Sequence, residues 1–269
     1  MGVIRRPRTE SSAAPSGGSL RHAWSLRLLL AALLLAGSEV LLWTNPLGRE
    51  PFAWVVLVAG YSALSTLLLE IAARFRMHNI FSLIALAGIY GLGNGLLLNP
   101  ETALVEVPRT LISRALGAHA LIGLLVLALY LRLAGGLRLP TALTVIVGAV
   151  IGLAWGFWAR WSPTELLLTP GPPTEPSAIL IAGGISLIVI IALLLLVGRL
   201  RRAHADDALP FLTRVEWLGV ATVLITLLIV RLLNATLDSL SLTVGIVLSG
   251  YSLIILWFLR RVRGATLLD

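Results

Sequence analysis

Eight long apolar runs dominate this sequence, and each has about the length needed to cross a bilayer. A spanning α-helix needs about 20 mostly apolar residues, whereas a spanning β-strand needs about ten residues of alternating polarity. The runs are nearly unbroken, so they predict helices. The predicted spans are residues 24–43, 52–73, 80–99, 115–133, 141–159, 178–198, 215–233 and 240–259. We therefore expect an all-α, polytopic transmembrane helix bundle of about eight spanning helices.

The scarcity of charged residues supports this class. Hydrophobic residues make up 58% of the 269 positions and charged residues 13%, where a soluble domain has about 25% charged residues. This balance excludes an ordinary soluble enzyme. We expect a disordered Arg/Ser/Gly-rich cytoplasmic tail at 1–23, a single eight-helix transmembrane domain at 24–264 and a short cytoplasmic tail at 265–269.

The first apolar run has a second interpretation, as a cleaved signal peptide. Ala36, Gly37 and Ser38 loosely fit a small-residue cleavage site behind a basic segment. We favour an uncleaved anchor, because the apolar run continues through Trp43.

The arginines predict the orientation in the membrane. All 21 basic residues are arginine, and an amino terminus in the cytoplasm places 16 of them on the cytoplasmic side. The five outside are Arg49, Arg109, Arg114, Arg160 and Arg231. Cytoplasmic loops carry the excess of basic residues, so both termini are predicted to be cytoplasmic, with the plasma membrane as the location. We attribute the formal net charge of +8 to this orientation in anionic lipid, and expect no nucleic-acid partner.

Motifs for metal, cofactor or covalent chemistry are not found. The chain has no cysteine and four histidines in four separate segments, so neither thiolate chemistry nor a histidine metal site is predicted. It also lacks lysine, which a retinal Schiff base requires, and a Gly-x-Ser-x-Gly elbow. No catalytic residue, metal or cofactor is predicted.

Glycines recur in the third and fifth predicted spans. They are Gly88, Gly91, Gly93 and Gly95, and Gly148, Gly152 and Gly156. Small residues let neighbouring helices approach closely, which is the interpretation we favour. The alternative is a flexible or broken helix that lines a substrate path, supported by Asn94 between two of these glycines.

Ionisable residues within the spans are predicted to lie near an interface. The spacing of Glu70 and Arg74 predicts an ion pair on one helix face. The middle of the bilayer has only neutral polar groups such as Tyr61 and Tyr90. This distribution argues against ion-coupled transport, which usually places an ionisable group near the midplane.

The predicted outer face carries the candidate site. Its speculative substrate-binding residues are Glu39, Asn94, Arg109, Arg114, His119, Arg160 and Arg231. The arginines suit an anionic lipid or lipid-linked substrate, and Glu39 with His119 would form a proton-transfer pair. Alternatively, these side chains reach water or pair locally, as in Arg231 with Asp238 and Arg109 with Glu106.

Three function classes follow. The favoured one is a transporter or permease for a small or lipidic substrate. The second is a membrane scaffold or complex-assembly subunit, and the third is an enzyme that acts on a lipid-linked substrate at the outer face. A central water-filled cavity would favour the transporter, a solid core with an apolar groove the scaffold, and convergence of Glu39, His119 and two arginines the enzyme.

Overall fold

The computed structural model describes residues 17–41, 48–75, 77, 80–104, 109–134, 175–203, 211–234 and 239–261. Within these ranges the chain is helical apart from short connections, and no strand occurs. The helices are α1 (Gly17–Leu35), α2 (Pro51–Arg74), α3 (Ile80–Gly93), α4 (Pro100–Ala103), α5 (Ala120–Ala134), α6 (Pro176–Ala203), α7 (Arg214–Leu233) and α8 (Ser239–Arg261). Three π-helical segments extend them: Ala36–Leu41 continues α1, Asn94–Leu98 continues α3, and Leu111–His119 leads into α5.

Seven helical stretches in the described part are long and apolar enough to cross a membrane. They are Leu20–Leu41, Pro51–Arg74, Ile80–Leu98, Leu111–Ala134, Leu180–Leu200, Arg214–Leu233 and Ser239–Arg261. The prediction of an all-α protein of the membrane-spanning type is confirmed. The remaining predicted span, residues 141–159, lies outside the described residues.

The first helix begins earlier than the sequence predicts. It starts at Gly17, so the last part of the predicted tail at 1–23 is helical. Ala23 is fully buried, and such packing stabilises helical turns that local propensity alone would leave frayed. Residues 101–114 connect the third and fourth predicted spans. They contribute to α4 and to the π-helical segment before α5, and residues 105–108 lie outside the described part.

Polar contacts define two ends of the bundle. At the Glu39 end, where α1 finishes, the Glu39 side chain bonds to Asn99, just after α3. The opposite end of the bundle is named after Arg27, which lies ten residues into α1. Its Nη1 is 2.7 Å from Oε1 of Glu216 at the start of α7. Helices α1, α3 and α7 therefore run in one direction.

The Arg27 end also joins α2 to the segment before α7. Arg74 Nε lies 2.7 Å from Oε1 of Glu70, which confirms the predicted pair. The second oxygen of Glu70 accepts a 3.0 Å hydrogen bond from the backbone N–H of Leu212. Glu216 completes a capping box with Thr213, so α7 starts at a defined residue.

The buried core lies where α1 packs against α2, α5 and α6. Its fully buried side chains include Leu29, Leu30, Leu34 and Leu68. Helices α6, α7 and α8 expose apolar side chains along much of their length. In the apolar stretch of each helix only 11% of the residues are buried. Such surfaces are stable against hydrocarbon, so this distribution fits a protein that lies in a bilayer.

The glycines of α3 and its extension provide close helix contacts. A Cβ on Gly93 would lie 2.9 Å from a Leu64 methyl, and one on Gly95 would lie 2.8 Å from Ala115 Cβ. A Cβ on Gly91 would clash with Ala115, in the segment before α5, and with Ala120 at the start of α5. The packing interpretation is therefore confirmed for these three positions, whereas Gly148, Gly152 and Gly156 lie outside the described residues.

Candidate functional site

The three π-helical segments meet at the Glu39 end of the bundle. Ser38 and Glu39 lie on the first, Asn94 begins the second, and His119 ends the third. All four side chains are buried. A π-helical turn is wider than an α-turn and frequently marks a functional site, because it re-aims side chains that a regular helix would direct elsewhere.

The Glu39 carboxylate is the centre of a buried polar network. Its Oε1 accepts hydrogen bonds from the Tyr61 hydroxyl and the Asn99 amide, both at 2.6 Å. Its Oε2 lies 2.7 Å from Nη2 of Arg49. Glu39 and Asn99 are fully buried, whereas the Arg49 side chain is 19% exposed. The guanidinium therefore separates a buried carboxylate from the surface.

Asn94 connects Glu39 to the second half of the network. Its amide nitrogen donates to the hydroxyls of Tyr61 and Tyr90, and its carbonyl oxygen accepts from Asn99 at 3.0 Å. Tyr90 shares a 2.6 Å hydrogen bond with Ser38. Asn94 thus uses both amide hydrogens and its oxygen, as a buried amide should.

His119 lies at the far end of this network. Its Nδ1 is 3.3 Å from the Ser38 hydroxyl, and Ser38 leads through Tyr90 and Asn94 back towards Glu39. In the described residues no hydrogen bond joins Glu39 directly to His119, and the amide of Asn94 is not an acid–base group. The two side chains belong to one network, but they do not form the direct proton-transfer pair that the enzyme hypothesis needs.

The network reaches towards the middle of the bundle. Tyr61 lies ten residues after Pro51, about 15 Å along the α2 axis at 1.5 Å per residue. Because the hydrocarbon core is about 30 Å thick, the partner of Glu39 comes from near mid-depth. A carboxylate therefore bonds to a residue near mid-depth, the region where ion-coupled transporters usually place an ionisable group.

Arg231 makes local contacts at the end of the α3 extension. Its Nε and Nη2 donate to the carbonyl oxygens of Leu97 and Leu98 at 3.1 and 3.0 Å, and its Nη1 lies 2.7 Å from Glu101. The end of a helix is negatively polarised and has carbonyls without helical partners, so a guanidinium stabilises it. The local-pairing alternative holds for Arg231, with Glu101 as its partner; Asp238 lies outside the described residues.

The structure brings together Glu39, Asn94 and His119 of the seven predicted site residues. Arg109 is exposed and Arg114 is half-buried near the start of the segment before α5, and neither contributes to the hydrogen bonds or ion pair of Glu39. Glu106 and Arg160 lie outside the described residues.

Sequence reasoning missed five members of the network: Ser38, Arg49, Tyr61, Tyr90 and Asn99. Asn99, which precedes Pro100, is only the last residue of the predicted span at 80–99. Tyr61 and Tyr90 are expected only as neutral polar groups in the middle of the bilayer, although tyrosine hydroxyls in hydrocarbon require partners. A search for an acceptor of the Tyr61 hydroxyl would have pointed to Glu39.

A lateral groove lies beside the network, between α1, α2 and α6. It encloses about 620 Å³. Its lining residues are Leu28, Ala31, Ala32, Leu35, Val40, Trp54, Val58, Tyr61, Ser62, Ala182, Ile185, Ser186, Val189, Ala192 and Leu193. Ser62 and Ser186 donate to carbonyls of their own helices, Val58 and Ala182, at 2.7 and 2.9 Å. The groove therefore presents an apolar wall.

No group of three or more His, Asp or Glu side chains that could hold a metal ion occurs in the described part of the chain. No known protein family, curated protein or solved structure matches this chain.

Proposed function

We propose that this chain is an integral membrane protein that binds a lipidic substrate, with a hydrocarbon chain lying in the groove between α1, α2 and α6. This is the lipidic form of the transporter-like class. The observation that carries the proposal is the apolar groove, because its serine hydroxyls are already hydrogen-bonded within their helices. Burial of a hydrocarbon chain there requires no polar group to lose a partner.

The length and position of the groove support this ligand. On α1 it extends from Leu28 to Val40, about 18 Å at 1.5 Å per residue. That is more than half the thickness of a bilayer core of about 30 Å. The groove borders helices of membrane-spanning type, so lipid is the most abundant molecule around it.

A small polar solute fits the described core less well. Between the two ends of the bundle the core is packed with leucines such as Leu30, Leu64 and Leu86. Ser65 and Thr66, at mid-depth on α2, donate to backbone carbonyls. These two hydroxyls already have hydrogen-bond partners, which favours a lipidic substrate over a polar one.

Groove-filling variants test the proposal. We expect Ala32→Phe and Ala192→Phe to reduce co-purifying lipid about tenfold, because overpacking costs about 1–3 kcal/mol and 1.4 kcal/mol is tenfold in affinity. Native mass spectrometry measures the bound lipid. Ile188→Phe, on an exposed part of α6 outside the groove lining, is the control. Equal lipid retention in all variants, or occupation of the groove by residues 141–159, would contradict the proposal.

A scaffold role is the second candidate. The solid apolar core and the exposed apolar faces of α6, α7 and α8 favour it. These faces would then contact a partner protein in the membrane instead of lipid. Anionic-lipid contacts through Arg109 and Arg114 also stay a prediction.

We further propose eight spans with both termini in the cytoplasm of the plasma membrane. Contacts of Ser38 with His119 put the start of α5 at the Glu39 end. The fifth predicted span, residues 141–159, would add a crossing between α5 and α6. Gly245 and Gly88 contact Leu96 and Ser252, respectively, so α8 runs antiparallel to α3 and finishes at the Arg27 end.

A reporter fusion tests this topology. The positive-inside rule makes the Arg27 end, where Arg74 and Arg261 lie, the cytoplasmic side. We expect a reporter fused after Arg263 to be active only when it functions in the cytoplasm. A reporter that functions only outside would reverse the orientation.

A further inference from the structure

The Arg49 guanidinium fills a cation-binding position at the Glu39 carboxylate. Its Nη2 lies 2.7 Å from Glu39 Oε2 and donates a 3.1 Å hydrogen bond to Asn99 Oδ1. Two oxygens from different helices therefore converge on one nitrogen. In the described residues Oε2 makes no other polar contact, whereas Oε1 is held by Tyr61 and Asn99.

The cation in this position comes from outside the helices. Arg49 lies in the short connection before α2, which begins at Pro51. The oxygens belong to the end of α1 and the residue after α3, and they are fully buried. Removal of the guanidinium would thus require movement of a connection and one side chain, while the acceptors stay in place.

The groove and this position are separated by a single side chain. Tyr61 lines the groove and its hydroxyl donates to Glu39, and Val40, the residue after Glu39, also lines the groove. A lipid whose chain occupies the groove has its polar end near Trp54 and Val40, at the end of the bundle where Arg49 lies.

We propose that the Glu39 site binds a primary ammonium group in place of Arg49, as part of an amine-bearing lipid or a free organic amine. The proposal rests on the lipidic function above and specifies the polar group of the substrate. A primary ammonium is a compact charge with three hydrogens to donate, two of which can bond to Oε2 of Glu39 and Oδ1 of Asn99. A quaternary ammonium has no hydrogen to donate and is a poor substitute.

Arg49 then acts as a tethered competitor. A group held by a short connection has an effective concentration in the millimolar range. Wild-type protein should therefore bind the ammonium more weakly than a variant without Arg49. Arg49→Gln keeps a hydrogen-bonding side chain of similar character and removes the charge.

The test uses nanodiscs that contain equal amounts of phosphatidylethanolamine and phosphatidylcholine with identical acyl chains. It measures which of the two lipids the protein retains. We expect wild type to retain phosphatidylethanolamine about tenfold better, since hydrogen bonds to a charged group contribute about 1.5–3 kcal/mol. Arg49→Gln should increase this preference, and Glu39→Gln should abolish it. Glu50→Gln, an exposed carboxylate next to Arg49, should leave it unchanged.

Ethylammonium distinguishes a free amine from a lipid head group. Saturable thermal stabilisation of wild type by ethylammonium that Glu39→Gln removes, without lipid preference, would assign the site to a soluble amine.

Equal retention of the two lipids together with no response to ethylammonium would overturn the ammonium site and leave the groove proposal standing. If Glu39→Gln fails to fold, an unchanged lipid preference in Arg49→Gln overturns the proposal. Loss of all lipid from wild type would instead refute the groove.

Discussion

Replacement of Glu39 by alanine is expected to lower the free energy of unfolding by about 3–5 kcal/mol, the usual cost of removing one partner of a buried ion pair. Arg49 would lose its carboxylate, and the hydroxyl of Tyr61 and amide of Asn99 would lose their shared acceptor. Since 1 kcal/mol shifts the midpoint of a chain of this size by about 2–4 °C, the thermal midpoint in detergent should fall by on the order of 10 °C.

Glu50→Ala is the matched control for this measurement. Glu50 is an exposed carboxylate at the same end of the bundle, adjacent to Arg49. Surface substitutions usually change stability by less than about 0.5 kcal/mol, so its midpoint should stay near wild type. Equal midpoints for both variants would mean that the Glu39 network does not stabilise the bundle.

Replacement of Gly91 by alanine is expected to lower stability by about 1–3 kcal/mol, the typical cost of overpacking. The new Cβ would clash with the carbonyl oxygen of Ala115 and would lie 2.9 Å from Ala120 Cβ and 3.0 Å from Ala120 N. Two of these three atoms are backbone, so the helices must separate to admit the methyl group. The same thermal unfolding measurement reports the effect.

Gly88→Ala provides the control on the same helix. A Cβ at this position would meet only the Ser252 hydroxyl, at 4.0 Å. Because alanine has a higher helix propensity than glycine by about 1 kcal/mol, this variant should be as stable as wild type or slightly more stable. A Gly91→Ala variant that equals Gly88→Ala would show that α3 and α5 do not pack as closely as described.

The fold class was predictable because bilayer physics acts on long stretches of sequence. A run such as residues 52–73 is mostly apolar and is about twice the length of a spanning strand, so a helix is the structure that satisfies its backbone in hydrocarbon. The start of α1 was less predictable, since burial of Ala23 depends on neighbouring helices. Glycine spacing correctly indicated close packing at Gly91, Gly93 and Gly95.

The candidate site was predictable only in part. Glu39, Asn94 and His119 stand out because polar groups in apolar runs are costly. Their connection through Tyr61, Tyr90 and Ser38 arises from three-dimensional packing of four helical segments. Sequence spacing within one helix carries no information about such contacts.

Arg49 and Arg231 illustrate the same limit for charge. Both were assigned to the outer face by the arginine distribution, and that distribution does not identify their partners. In the structure Arg49 forms an ion pair with the Glu39 carboxylate, and Arg231 donates hydrogen bonds to the carbonyls at the end of the α3 extension. An arginine that departs from the positive-inside pattern therefore need not contact lipid.

An electron-density map of the protein in lipid nanodiscs tests whether a lipid chain lies in the groove between α1, α2 and α6. We expect elongated density along Ala32, Tyr61 and Ala192, with its polar end towards Val40 and Trp54. A groove that is empty, or that is filled by the protein's own residues, would contradict it.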